Sequence, residues 1–274
     1  MSTPIFTGAG VALITPMNSD GSVNFDELGR LLEFQIENGT DAIIACGTTG
    51  EAATLSVEEH KAVLSYVAEK VNKRIPVIAG TGSNDTATAI SLSKSAQKYG
   101  ADGLLSVTPY YNKTSQAGLV KHFTTIADSV DLPIILYNVP SRTGCNMQPK
   151  TYAELEKHQN IVGVKEANGD ISSVSLTRSL CSDDFAIYSG NDDQTVPFMS
   201  LGGKGVISVF SNFCPKEMHE ICQACLDNDF QRAAEMNFHF VELMDIMFSD
   251  VNPIPVKTAM NLIGFNAGEC RLPL

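Results

Sequence analysis

Short runs of aliphatic and β-branched residues alternate along most of this chain with longer stretches whose apolar positions recur every three or four residues. The first run, residues 11–14, stops at Thr15 and Pro16. After a turn at Gly21, Asn24 stands three residues before Glu27, and Leu28, Leu31, Leu32 and Ile36 keep one helical face apolar as far as Gly39. That spacing predicts a strand followed by a capped helix. The pair then repeats. Strand-like runs at 42–45, 75–79, 103–107 and 133–136 are each followed by helical period, including a second capping box at Ser56 and Glu59 and a helix over about 85–99 closed by Gly100. A sixth strand spans 161–164, and glycine-flanked runs at 185–188 and 205–209 supply a seventh and an eighth. Beyond Cys214 the period is purely helical, with helices predicted over 216–226, 229–247 and 254–263.

The strand runs are continuously apolar, as in a sheet covered on both faces, and about eight strand-helix units make a parallel (β/α)8 TIM barrel. An open doubly wound sheet is the alternative. It would be favoured by a GxGxxG turn after the first strand, and the sequence has none there. The expected organisation is a barrel over 1–213 carrying the active site and a C-terminal helical extension over 214–274, with no low-complexity linker between them.

Composition narrows the function. With 19 Lys and Arg against 31 Asp and Glu, the formal charge of −12 disfavours an extended positive surface for nucleic acid or anionic membranes. An anionic substrate must be met by local groups. No apolar run approaches the roughly 20 residues that cross a bilayer, and MSTPIFTGAG shows neither secretory nor transit-peptide character; a cytoplasmic protein is expected. Seven scattered cysteines read as reduced thiols. His219, Cys222 and Cys225 share a helical spacing but lack a fourth ligand, so they read as core residues and no metal site is expected.

In a parallel barrel, residues at the C-terminal strand ends face one shared pocket. The rule selects Lys165 at the end of the sixth strand, Thr48 and Thr49 after the second, Tyr110 and Tyr111 after the fourth, Tyr137 and Arg142 after the fifth, Gly190 after the seventh and Ile207 in the eighth. A lysine held stiffly and partly desolvated has a lowered pKa, and its neutral amine attacks a carbonyl to form a Schiff base. A phenol and hydroxyls can shuttle the protons, and an arginine can hold a carboxylate in bidentate fashion. Each residue has a plainer reading: a strand-end lysine with its head in water, a rim tyrosine, turn-capping threonines, a surface-paired arginine, a tyrosine pair in a subunit contact. Their convergence on one barrel end favours a site. The glycine-containing GTGSN segment, 80–84, lacks a Walker lysine and reads as a tight turn.

The motifs GTTGE (47–51), TPYYNK (108–113), YNVPSRTG (137–144), GVKEA (163–167), SGND (189–192) and GVIS (205–208) resemble the dihydrodipicolinate synthase family of the pyruvate-dependent class I aldolases. The resemblance spans essentially the whole chain in motif order. It implies that Lys165 binds pyruvate as a covalent imine, that Tyr137 donates and accepts protons with Thr48, and that Tyr111 comes from the neighbouring subunit. Thr49, Gly190 and the Ile207 backbone would contact the pyruvate moiety, and Arg142 the carboxylate of L-aspartate 4-semialdehyde. The product would be 4-hydroxy-tetrahydrodipicolinate, the first committed intermediate of diaminopimelate and lysine synthesis. No metal or organic cofactor is implied, and the partner is self, in a homotetramer built from tight dimers. Thr48 and Arg142 separate this reading from N-acetylneuraminate lyases and sugar-acid aldolases of the same superfamily, the enzymatic alternative. Two departures stand out. Val57 and Thr88 occupy positions where lysine-inhibited members carry histidine and glutamate, although Asn84, His60 and Tyr110 are kept, so weak or absent feedback by L-lysine is expected. Relatives usually continue past the Arg271–Leu274 end into one more helix, and loss of that cover is expected to weaken the C-terminal helices.

Overall fold

A computed structural model describes residues 4–274 of the protein. The apolar runs fold as β1 (Gly8–Ala12), β2 (Ala42–Ala45), β3 (Val77–Gly80), β4 (Gly103–Val107), β5 (Ile134–Asn138), β6 (Ile161–Glu166), β7 (Ala186–Ser189) and β8 (Gly205–Ser208). Each pairs in parallel with the next, and β8 pairs with β1, closing an eight-stranded barrel in sequence order. The helices are α1 (Phe25–Glu37), α2 (Val57–Val71), α3 (Thr86–Tyr99), α4 (Gln116–Ala127), α5 (Pro140–Thr143), α6 (Pro149–Leu155), α7 (Ile171–Leu180), α8 (Thr195–Ser200), α9 (Pro215–Leu226), α10 (Phe230–Ile246) and α11 (Ile254–Leu262).

Local chemistry sets the helix starts. The Asn24 side chain accepts the Glu27 amide, and Ser56 and Glu59 form the reciprocal box that the sequence predicts. The first strand begins three residues earlier than expected, at Gly8, because small residues there pair with β8 and the Asp41 carboxylate takes the Ala9 amide at 2.7 Å. Glycine and alanine carry no apolar signal. The fifth strand runs two residues past the expected 136 and takes Tyr137 and Asn138 into the ladder. Helix α7 was not marked by the pattern, since of its ten residues only Val174 and Thr177 are buried.

Burial divides between two layers. Ile44, Ile78, Leu105, Ile135 and Ile207 fill the barrel, closed below by Phe6 stacked on Tyr188 at 4.4 Å. Leu31, Val63, Phe123, Leu136, Val164 and Phe185 lie between barrel and helices. A third cluster joins Ala9 and Val206 of the barrel to Met218, Cys222 and Cys225 of α9 and Ala233 and Met244 of α10. Cys222 and Cys225 thus sit in apolar packing, and His219 meets Asp41 at 2.9 Å. We propose that the barrel and the helical extension divide at 213/214, with α9 packed against both.

The C-terminal segment is tied back onto the barrel by charged contacts. Lys257 of α11 is buried and donates to Glu51 at 2.8 Å and to the Glu269 carbonyl at 2.7 Å. The Arg271 amide donates to the other Glu51 oxygen, and its guanidinium pairs with Glu59 and donates to the Gly21 and Thr54 carbonyls. A buried charge that loses its partner is strongly destabilising, so this clasp holds the tail to the loop after β2. That loop carries Thr48 and Thr49.

Candidate active site

The site begins with an irregularity in β6. Ile134 pairs with Ile161 but Ile135 pairs with Gly163, so Val162 is an extra residue without a partner across the ladder. Ile161 and Val164, three apart, are both buried in the layer between barrel and helices. Strict alternation would have put Lys165 on that same outer face as Ile161. The bulge shifts the phase by one and turns Lys165 into the barrel and Glu166 out of it. Gly163 makes this possible, because a Cβ there would lie 2.4 Å from the Ala186 carbonyl oxygen.

Lys165 and Tyr137 are direct cross-strand partners, and the Lys165 Nζ lies 4.6 Å from the centre of the Tyr137 ring. Both are buried, at 5% and 7% exposure. Burial lowers the lysine pKa to about 8; the Asp192 carboxylate opposes the shift and the Arg142 charge adds to it. Burial raises the Tyr137 phenol above its ordinary value, against the pull of hydrogen bonding from Thr48 and the charge of Arg142. The lysine is therefore poised to lose its proton near neutrality while the phenol keeps its own.

A cavity of about 410 Å³ opens above this pair, and Lys165, Tyr137, Thr49, Arg142 and Gly190 all line it. Arg142 comes from α5, the single turn that follows β5, where Gly144 in the left-handed region ends the helix. Its guanidinium donates to the Asn252 carbonyl at 3.2 Å, and the Asn252 amide donates to Thr49 Oγ1 at 3.0 Å. Gly190 leaves room: a Cβ would lie 2.5 Å from that of Ala167. Thr48 is not among the lining residues but interacts with the Tyr137 phenol. Ile207 is fully buried in β8 within the barrel interior and is not among the residues lining the cavity. Tyr111 stands apart, 93% exposed with a left-handed φ of 68°.

Two residues escaped the sequence reading. Asp192, inside the SGND motif, is buried with its carboxylate accepting the Val209 and Phe210 amides at 3.1 and 3.0 Å, and it faces Lys165 electrostatically. The motif was the signal. Asn252 lies in a loop before α11 with no motif around it, and only the fold brings it to Thr49 and Arg142.

A desolvated amine, a phenol with a threonine behind it and a guanidinium beside the cavity can form an imine, move protons on and off it, and hold an anion. The sequence model of the Dihydrodipicolinate synthetase family matches residues 5–274. This chain belongs to that family. A relative from Acetivibrio thermocellus named 4-hydroxy-tetrahydrodipicolinate synthase is 57% identical over 274 residues, covering 100% of this chain and 93% of the relative. A dihydrodipicolinate synthase from Acinetobacter baumannii, solved with pyruvate, superimposes with a TM-score of 0.96 at 46% identity, covering 98% of this chain and 92% of that one. A structure described as a monomeric dihydrodipicolinate synthase variant matches with a TM-score of 0.96 at 44% identity, covering 98% and 91%.

Proposed function

We propose that this enzyme condenses pyruvate with L-aspartate 4-semialdehyde to give 4-hydroxy-tetrahydrodipicolinate, the committed step toward diaminopimelate and lysine. The observation that carries the reading is the cross-strand pair Lys165 and Tyr137 at the mouth of a cavity shared with Arg142 and Thr49.

The neutral Lys165 amine adds to the C2 carbonyl of pyruvate to give a carbinolamine. Tyr137 protonates the departing hydroxyl, water leaves, and the imine forms. Removal of a C3 proton then gives the enamine, with Thr48 passing protons to and from Tyr137. The enamine carbon attacks the aldehyde carbon of the second substrate. The amino group of that substrate next displaces Lys165 from the imine carbon, closing the ring and freeing the lysine. Thr49, Gly190 and the Ile207 backbone hold the pyruvate end, and Arg142 receives the carboxylate of the semialdehyde. Pyruvate is held covalently on Lys165, and the scheme needs no metal or organic cofactor.

The exposed Tyr111 belongs to the same proposal: it completes the proton relay of a neighbouring subunit in a homotetramer of tight dimers. None of the described helices is long and apolar enough to cross a membrane, and a cytoplasmic location fits the substrates. With Val57 exposed and the Thr88 hydroxyl engaged by Asp85, inhibition by L-lysine is expected to be weak or absent.

A coupled assay comparing L-aspartate 4-semialdehyde with sugar-derived aldehydes as acceptors for pyruvate tests the reading. Preferred turnover of the semialdehyde supports it; equal or better turnover of the sugar aldehydes refutes it in favour of a sugar-acid aldolase.

A further inference from the structure

The two reacting side chains are cross-strand partners facing into the barrel, and the two residues that follow them, Asn138 and Glu166, are cross-strand partners facing out. On that outer face the pairing is made by side chains. The Asn138 amide donates to both Glu166 oxygens, at 2.9 and 3.2 Å. Tyr152 of α6 donates its hydroxyl to Glu166 Oε2 at 2.7 Å, and the Asn168 amide donates to Oε1 at 3.0 Å. Asn138 in turn bonds Asn146 and accepts the Met147 amide, in the segment that follows the Arg142 helix. One buried carboxylate therefore ties together the ends of β5 and β6, helix α6 and the loop after β6. Nothing in the condensation chemistry uses it.

A carboxylate 3% exposed with no cation against it is costly to bury, and its pKa is pushed up to about 7. Leucine at this place would fill the same layer without that cost. The four hydrogen bonds do what leucine cannot: they fix the separation and register of the two strand ends at the residue next to Lys165 and Tyr137. The bulge at Val162 removes a normal ladder constraint just upstream, so the register there needs another anchor.

We propose that Glu166 is a positioning residue, whose hydrogen bonds to Asn138 and Tyr152 outside the barrel hold the Lys165 amine against the Tyr137 ring inside it. The proposal rests on the Schiff-base reading for its effect on turnover, but its effect on Lys165 placement is independent of any substrate. Glutamine keeps most of the anchor: Oε1 retains the Asn138 donor at 2.9 Å and the Asn168 donor, the Tyr152 hydroxyl turns to accept from Nε2, and only the longer Asn138 bond to the second oxygen is lost. Alanine abolishes it. A misplacement of about 1 Å costs on the order of 100-fold in rate.

The test uses the full-length enzyme with E166A, E166Q and Y152F, read by steady-state kinetics and by NMR of protein labelled with 13Cε-lysine, the Lys165 signal being assigned by its loss in K165R. E166A is expected to lower kcat about 100-fold with KM for pyruvate changed less than about threefold, E166Q to recover to within about threefold of wild type, and Y152F to fall between. The Lys165 signal, shifted by the Tyr137 ring, should move toward that of exposed lysines in E166A, partly so in Y152F, and stay in E166Q. Should E166A not fold, Y152F and E166Q carry the same comparison. Wild-type turnover and an unmoved Lys165 signal in Y152F and E166A, or E166Q as impaired as E166A, would overturn the proposal. Failure of the wild-type enzyme to form a pyruvate adduct would instead remove the Schiff-base reading, with the NMR comparison still deciding the placement.

Discussion

Lys165 works because of where its amine is buried. In water a lysine is protonated until about pH 10; here desolvation brings the pKa to about 8. The neutral form is the nucleophile, so the rate of imine formation with pyruvate should rise with pH through a midpoint near 8 and fall about tenfold for each unit below it. Stopped-flow measurement across pH 6 to about 9.5 checks this, and a flat profile would show that the amine is not the titrating group. Strand-end position selects Lys165, Tyr137, Thr49, Arg142 and Gly190 in the sequence, where each alone has a plainer reading, and all five line one cavity. Asp192 was legible only as part of the SGND motif, and Asn252 not at all. A carboxylate whose role is to accept two backbone amides, and an asparagine delivered by a distant loop, leave no periodic or compositional trace until the chain is folded.

At the scale of the element, β6 shows why the apolar run gave the right strand but not the reason its lysine faces inward. The sequence IVGVKE read as a simple strand cannot say on which face Lys165 falls, because a one-residue change of phase reverses every side chain. The extra residue Val162 makes that choice. Deletion of Val162 removes the extra residue and the phase shift together, so the variant should pair Ile161 and Gly163 with Ile134 and Ile135 as a regular ladder, keep Lys165 facing the barrel opposite Tyr137, and still form an imine with pyruvate. Loss of imine formation in a folded deletion variant would show that the bulge itself, and not only the phase it sets, places the amine. The same limit hid the first strand's true start at Gly8 and the length of β5, where pairing geometry and not apolar character sets the boundary. Helix caps, by contrast, are local chemistry, and the helix starts at Phe25, under the Asn24 cap, and at Val57, under the Ser56–Glu59 box, follow from them.

The whole molecule poses the question of subunits. Tyr111 is almost fully exposed on its own chain, with a left-handed backbone, and is not among the residues lining the cavity that holds Lys165. If it serves a neighbour, the inactive variants K165A and Y111F should regain activity when mixed and allowed to exchange subunits. Each hybrid would contain a site with Lys165 from one chain and Tyr111 from the other, and recovery of about a quarter of wild-type activity is expected on statistical pairing. No recovery after confirmed exchange would place Tyr111 outside the relay. The proposed condensation depends on a covalent imine at one nitrogen. The direct measurement is borohydride reduction in the presence of pyruvate followed by peptide mass mapping. The account predicts one reduced pyruvate adduct, on Lys165, absent in K165A; an active enzyme with no adduct, or with the adduct on another lysine, would contradict it.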